Sequence, residues 1–563
     1  MSTLRRFFST PFAPLIGLAV LALAIRFVFL TSFAHSPLFA PIEGGHDRTL
    51  YHLAAQAPLI PDGAFAYLPL YPMALHAVYA LFGPSLFAAA TLGIVCDALT
   101  VFFIGAIALR LGARRSFACA AALLYALYPL AVLYSCLTMP NTLNALVAAA
   151  LGYGLLRAPR DNGSAWVGLG LLAGLAALGW AAWLLIVATL LLYWLAIRPA
   201  AGPSPRNAAL FALAFALPLA PIAIHNSRAE GSFVLLTTHG GLNFYMGNHE
   251  RATGFPLRIR EFRMTARAML EDAHHAAEKD VGHALTRAES SAWWSRQARA
   301  FWRAHPAQAV SLTARKLLYV WNGRDVDDLR MVEQAQLLMP HYAWPAAGRW
   351  FTAIAFFGLL GFFLAPRAAP LRIAILAGAF SIALYFITAR YRLALAPLLL
   401  GIGAAGAEAI LQSIRTRGKI ALTSALALAC AAAVAWPLPL PDLRAVDHYN
   451  AATQLLHADR TAEALKLARK GLEIDPQSAN LYHTLGSALF KEKNYADAAE
   501  AFARCAALDP AHPQAFYNWG LSLARTGDYC AARDALAQAA KLRPLSEPAQ
   551  SLARELAQLC NSP

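Results

Sequence analysis

The chain has 563 residues, of which 58% are hydrophobic and only 14% charged, a balance that excludes an ordinary soluble protein of this length. Its formal net charge of +15 rides on short turns and one long polar stretch, so anionic lipid head groups and phosphates are the expected partners and nucleic acid is not. No Cys-x-x-Cys pair occurs among the seven cysteines, which argues against a thiolate metal site.

Arg5 and Arg6 precede an apolar run from Pro11 to Phe33. That run exceeds the roughly 7–15 residues of a cleavable signal core and carries Arg26, so it reads as an uncleaved first span. A spanning helix needs about 20 mostly apolar residues. Eleven spans are predicted, at 11–33, 86–111, 116–136, 140–157, 164–178, 180–197, 207–226, 346–365, 370–388, 393–412 and 419–437. Arg5/Arg6, Arg110/Arg114/Arg115, Arg157/Arg160, Arg198/Arg206, Arg367/Arg372 and Arg415/Arg417/Lys419 then all fall on one side, which makes the N-terminus cytoplasmic. The loop after the first span, the stretch 227–345 and everything beyond 437 lie on the opposite side.

That first outer loop reads Pro41-Ile42-Glu43-Gly44-Gly45-His46-Asp47-Arg48-Thr49-Leu50-Tyr51. Two glycines let the backbone bend sharply, and 47–57 is predicted to be a short helix with Asp47 at its N-terminus. A carboxylate there is either a helix cap or an acid or base facing a lipid-borne substrate. The apolar, proline-broken run from Tyr67 to Gly83 is too short to cross and is predicted to lie at the interface. In the stretch 227–345, Arg251, Arg258, Arg260, Arg263, Arg267, Arg296, Arg299, Arg303, Arg315 and Lys316 form either a solvated basic surface or an electropositive cup for phosphate. The run Gly240-Gly241-Leu242-Asn243, with Gly247-Asn248, is either a tight turn or part of a sugar site.

Beyond residue 445 the pattern turns soluble and helical. Asp475-Pro476 recurs as Asp509-Pro510, Gly486 as Gly520, Tyr495 as Tyr529, and Ala464 as Ala498 and Ala532, each step being 34 residues. This is the tetratricopeptide period. Three repeats at 446–476, 480–510 and 514–544, capped by a helix at 547–559, are predicted; a protein partner or acceptor is their expected ligand. Cys96, Cys119, Cys136 and Cys430 read as packing residues, whereas Cys505, Cys530 and Cys560 can form a disulfide only if the tail faces an oxidising compartment. Charges inside spans need reasons. Arg26 is read as snorkelling to the interface, Asp97 lies inside the second span, and Arg390-Tyr391-Arg392 opens the tenth on the outer side.

Taken together, the ordered pieces Gly45-His46-Asp47 with Tyr51-His52-Leu53-Ala54, Pro69-Leu70-Tyr71-Pro72 with Leu81-Phe82-Gly83, Gly240 to Asn248 with Ala252-Thr253-Gly254, Arg315-Lys316-Leu317 and Arg390-Tyr391-Arg392-Leu393 resemble a family. It is that of GT-C fold, polyprenyl-phosphate-sugar-dependent glycosyltransferases, which groups protein O-mannosyltransferases with the aminoarabinose transferase of lipid A. The resemblance implies an all-α fold: a transmembrane bundle over 1–440 and a tetratricopeptide domain over 446–563. It also implies an inverting transfer from a lipid-linked sugar to a glycan, lipid or protein at the outer face of a bacterial inner membrane. Asp47 stands at the position of the base, with Glu43 beside it. Arg390, Arg392, Arg315 and Lys316 are the expected donor-phosphate groups, and His46, Tyr51, Tyr71, Asn243, Tyr245 and Asn248 the expected sugar and acceptor contacts.

The chain departs from the family pattern at Ser135-Cys136-Leu137-Thr138-Met139-Pro140-Asn141, Gly179-Trp180-Ala181-Ala182 and His225-Asn226. No compact carboxylate cluster argues for a bound metal, so no cofactor is predicted and a divalent cation is left open. Two other classes compete with the enzyme. One is a non-catalytic membrane scaffold presenting the repeats. The other is a transporter, against which the charges gather at the outer face rather than in broken helices at mid-membrane.

Overall fold

The computed structural model describes residues 12–40, 47–256, 266–339, 349–416, 420–438, 440, 442–543 and 547–561. Among these every regular element is a helix. The chain divides into two units, a larger one of residues 1–34, 43–332 and 344–438, and a smaller one of 35–42, 333–343 and 439–563 that contains the repeats.

Each predicted span coincides with helix. Ala13–Phe33, Leu86–Arg110, Pro205–Glu230 and Ala396–Arg415 have both the length and the hydropathy to cross a membrane. The predicted span 116–136 is instead two helices, Arg115–Ala126 and Pro129–Ser135, bent by 57°. Pro129 has no N–H for the preceding turn and drives Tyr128 to an extended ψ of 112°. Gly163–Gly179, Ala182–Ile197, Phe351–Leu364 and Ala369–Leu384 are apolar but shorter than the ~20 residues of an upright crossing. The proline-broken run expected at the interface contains the helix Leu70–Phe82.

Small residues let the helices of the larger unit approach closely, the packing mode left when lipid removes the hydrophobic drive. A Cβ on Gly361 would lie 2.2 Å from the Ile402 carbonyl oxygen, which fixes how Phe351–Leu364 lies on Ala396–Arg415. In the same way Gly170 and Gly174 admit the Phe211 and Phe215 carbonyls of Pro205–Glu230, each 2.4 Å from where a Cβ would stand.

Arg26 does not snorkel. It is fully buried and paired with Asp97, also fully buried. Its Nη1 donates to the carbonyls of Ala22 (3.1 Å) and Ala126 (2.9 Å), and the Tyr125 hydroxyl donates to Asp97 Oδ1 at 2.9 Å. The pair ties Ala13–Phe33, Leu86–Arg110 and Arg115–Ala126 together where neither charge has water.

The smaller unit stacks the helix pairs Arg444–His457 with Thr461–Ile474, Ala479–Lys491 with Tyr495–Leu508, and Pro513–Thr526 with Tyr529–Leu542, followed by Glu547–Asn561. The 34-residue period has a steric cause. Ala464, Ala498 and Ala532 are wholly buried, and a Cβ on Gly486 or Gly520 would press to 2.9 Å on Phe502 or Leu536. Side chains of Asn494 and Asp528 cap the second helices of their repeats. Cys530 and Cys560 form a disulfide that fastens the capping helix to the third repeat, while Cys505 is free and buried.

Two imidazoles in this unit depend on being neutral. His483 and His512 stack with centroids 5.0 Å apart. His512 Nδ1 accepts the Ala515 N–H at 3.1 Å, and His483 Nε2 faces the Asn518 amide at 3.1 Å. Burial, and then His512, pull the His483 pKa down to about 4.

Two outcomes are expected. Removing one partner of the Arg26–Asp97 pair leaves a buried charge alone, so Arg26→Met or Asp97→Leu should each destabilise the larger unit by about 3–5 kcal/mol, and the double variant should recover most of that; thermal unfolding in detergent reads both. For His483 the unfolded imidazole binds a proton below about 6.5 while the folded one does not until about 4, so the repeat unit should lose stability as pH falls across that window. Chemical denaturation at stepped pH checks this, and His483→Phe should flatten the profile.

Candidate active site

Three segments distant in sequence meet on Arg390. The helix Asp47–Gln56 presents Asp47 at its first residue. The one-turn helix Ala389–Arg392 presents Arg390, and the loop between Val320 and Met331 presents Asp328. Arg390 Nη1 donates to Asp47 Oδ2 at 2.9 Å and Nη2 donates to Asp328 Oδ2 at 2.7 Å. Asp328 is held from behind: Thr388 donates its hydroxyl to Asp328 Oδ1 at 2.6 Å and accepts the Asp328 N–H at 3.3 Å. Nearby, the Ala389 N–H donates to the Val326 carbonyl at 2.7 Å, and Asn141 donates to the Arg390 carbonyl at 2.9 Å. Of the three charged side chains Asp47 is the most open, 25% exposed against 12% for Asp328 and 11% for Arg390.

An aromatic wall stands beside this cluster. Tyr51 packs against Tyr67 at 5.4 Å and edge-on against buried Tyr71 at 5.5 Å, and Tyr67 stacks on His239 at 5.2 Å. Burial, and then the charge of Asp47, push the Tyr51 and Tyr67 phenols upward, and burial pushes Tyr391 to about 12. All three keep their protons and can donate to an oxygen. Burial works against the charge of Arg390, but Asp328, Tyr391 and Asp47 outweigh it and hold the guanidinium charged. His239 also lines a small cleft of about 30 Å³ with Thr238, Leu242, Arg287, Ser291 and Trp294.

Several expected site residues lie elsewhere. Glu43, His46, Arg258, Arg260 and Arg263 fall outside the described residues. Arg392 was expected on the donor phosphate, but it is buried beneath the cluster. It donates to the carbonyls of Asn322 (2.6 Å) and Arg324 (2.7 Å) and to Asp325 Oδ1 (3.1 Å), over the Phe351 ring at 4.0 Å. Lys316 is likewise buried. Its three donors meet the carbonyls of Gly247 (2.6 Å) and Tyr385 (2.7 Å) and Asn248 Oδ1 (3.3 Å), and burial pulls its pKa down to about 7. Asn248, expected at the sugar, donates instead to Phe244 O and Leu384 O and accepts from Trp302. These contacts bind the helix Gly240–Gly247 to the turn that leads into Thr388 and Arg390. A Cβ on Gly247 would lie 1.8 Å from the Tyr385 oxygen, which is why glycine stands there. Asn243 is half-buried, Tyr245 packs on His249 and Trp294, and Arg251, Arg267, Arg296, Arg299, Arg303 and Arg315 are exposed.

Sequence reasoning missed the acidic run Asp325-Val326-Asp327-Asp328. Its signal was available: three carboxylates in four residues of an otherwise basic stretch. Each serves partners of its own. Asp325 accepts from Tyr128 (2.6 Å) and Arg392, Asp327 from Tyr134 (2.7 Å) and the Met331 N–H (3.0 Å), and Asp328 from Arg390. Burial raises Asp325 and Asp327 to about 6. Among the described residues no group of three or more His, Cys, Asp or Glu is placed to hold a metal ion. His225-Asn226, where the chain departs from the pattern it resembles, anchors the loop after the first span. Asn226 accepts from the Phe65 N–H at 2.8 Å and donates to Leu236 O at 2.8 Å.

Residues 65–225 match the family model described as dolichyl-phosphate-mannose-protein mannosyltransferase, and residues 479–512 match the tetratricopeptide repeat. No functionally curated protein matches the chain. Among solved structures, ArnT from Cupriavidus metallidurans bound to undecaprenyl phosphate is 15% identical, covering 96% of this chain and 89% of that one at a TM-score of 0.39. The archaeal oligosaccharyltransferase AglB from Archaeoglobus fulgidus, in complex with an inhibitory peptide and a dolichol-phosphate, is 16% identical, covering 78% and 57% at 0.37. MamA is 17% identical, covering 28% and 82% at 0.19. The chain thus joins a segment that matches the dolichyl-phosphate-mannose mannosyltransferase family to a tetratricopeptide segment, the combination that its ordered motifs resemble.

Proposed function

We propose that the chain is a membrane glycosyltransferase that moves a sugar from a polyprenyl-phosphate donor to a hydroxyl or amine of an envelope glycan, lipid or protein, at the extracytoplasmic face of a bacterial inner membrane. The observation that carries this reading is a partly exposed carboxylate, Asp47, held at 2.9 Å from a guanidinium and near enough to Tyr51 and Tyr67 to push their phenols upward. Asp47 takes the proton of the acceptor as its oxygen or nitrogen attacks the anomeric carbon from the side opposite the phosphate. The bond between that carbon and the phosphate oxygen breaks, the configuration inverts, and polyprenyl phosphate departs with the bonding pair. The donor phosphodiester carries one negative charge and the departing monoester acquires a second, which Arg390 stabilises as it grows. Arg392 and Lys316 are positioning residues that brace the segments beneath Arg390. The repeats hold the acceptor or a partner protein.

The outward face is supported twice, by the arginine-rich turns and by the Cys530–Cys560 disulfide, which an oxidising compartment preserves. An alkaline phosphatase fused at the C-terminus should therefore be active, and a reporter that works only in the cytoplasm should be silent; the reverse pattern would place the repeats inside.

Transfer from a polyprenyl-phosphate sugar pool, measured in membranes at equal expression, should fall by about 10²–10⁴-fold on Asp47→Asn, the value of a general base. Equal turnover would move the base elsewhere, with Glu43 tested next. No turnover by either protein across a broad panel of donors and acceptors would favour the membrane scaffold.

A further inference from the structure

Arg390 divides its two terminal nitrogens between two carboxylates that are not held alike. Asp328 is fixed at three points: by Arg390 Nη2, by the Thr388 hydroxyl, and through its own N–H on that same hydroxyl. Asp47 meets Arg390 Nη1 and has no other hydrogen-bond partner among the described residues, and it is twice as exposed as Asp328. An incoming phosphate needs the outward Nη1, the atom that Asp47 occupies. A phosphate oxygen and a carboxylate oxygen are equivalent acceptors for one N–H, so the two compete for it.

We propose that Asp328 is the positioning residue that holds Arg390 in place, and that Asp47 is a displaceable counter-ion which the donor phosphate replaces on Arg390 Nη1. This rests on the reading of Arg390 as the donor-phosphate group. Its consequence is ordered chemistry. With no donor, the Asp47 carboxylate is engaged on Arg390 Nη1. Seating the phosphate takes over the guanidinium and frees the carboxylate beside the anomeric carbon, where the acceptor hydroxyl or amine will lose its proton. Asp328 makes the exchange workable. If it did not hold Nη2, Arg390 could turn both nitrogens onto Asp47 and close the site.

The test is binding, without turnover. Purified full-length protein in detergent is titrated with farnesyl phosphate, with farnesol as the uncharged control, and each variant's thermal midpoint is recorded. Asp47→Asn should bind farnesyl phosphate about tenfold tighter than wild type, because its competitor is gone. Asp328→Asn should bind about tenfold more weakly, Asp328→Glu should recover part of that loss, and Asp47→Asn added to Asp328→Asn should recover most of it. A merely structural defect at 328 would not be relieved by a second substitution at 47, so an unrelieved loss overturns the positioning role. Asp47→Asn binding no tighter than wild type overturns the displacement, whether or not the Asp328 variants fold. Binding by wild type that Arg390→Gln leaves unchanged, or no binding beyond that of farnesol, overturns this inference together with the donor-site reading on which it stands.

Discussion

Arg390 reaches 343 residues back to Asp47 and 62 residues back to Asp328, so one guanidinium joins the loop after the first span, the long polar stretch and the start of a late span. A largely buried arginine between two acids is stable because each of its two terminal nitrogens finds a carboxylate oxygen. The supports behind it follow from that demand. Thr388 fixes Asp328, Asn141 fixes the Arg390 carbonyl, and Lys316 and Asn248 fix the Tyr385 and Leu384 carbonyls on the turn leading in. Arg392, two residues on, points the other way and is enclosed by carbonyls, Asp325 and Phe351. Alternate residues of this short turn thus divide between site and foundation.

The same logic governs the apolar part of the larger unit. Arg26 and Asp97 survive in spans because each neutralises the other and both are hydrogen-bonded further, to Ala22, Ala126 and Tyr125. Close backbone approach at Gly170, Gly174 and Gly361 does the rest, since van der Waals contact between helices has to replace the hydrophobic drive that lipid removes. The kink at Tyr128–Pro129 then carries the hydroxyls of Tyr128 and Tyr134 to Asp325 and Asp327. A proline that interrupts a span is therefore also what anchors the acidic loop of the site.

Helices were legible in the sequence because apolar runs and the 34-residue period are local patterns. The period of small residues maps directly onto buried Ala464, Ala498 and Ala532. The broken span was not legible, since the hydropathy of 116–136 is continuous across Pro129 and only the backbone preference of the residue before proline reveals the bend. Arg26 was read as snorkelling because nothing local pairs it; its partner is 71 residues away. At the candidate site, Asp47 and Arg390 were named from motifs, but their contact was not foreseen, nor was Asp328. Arg392, Lys316 and Asn248 were assigned to ligands because a cation or amide in a motif looks alike whether it faces a substrate or a ring of backbone carbonyls. Only their burial tells the two apart.

The central claim is that a lipid phosphate sits at Arg390, against Asp47 and the tyrosine wall. Its most direct measurement is photo-crosslinking with a polyprenyl phosphate that carries a photoreactive group close to the phosphate, with the adducts mapped by mass spectrometry. The account predicts adducts on Tyr51, Tyr67 and Tyr391 that disappear in Arg390→Gln. Adducts confined to the exposed basic surface at Arg251, Arg296 and Arg315, and unchanged in that variant, would contradict it.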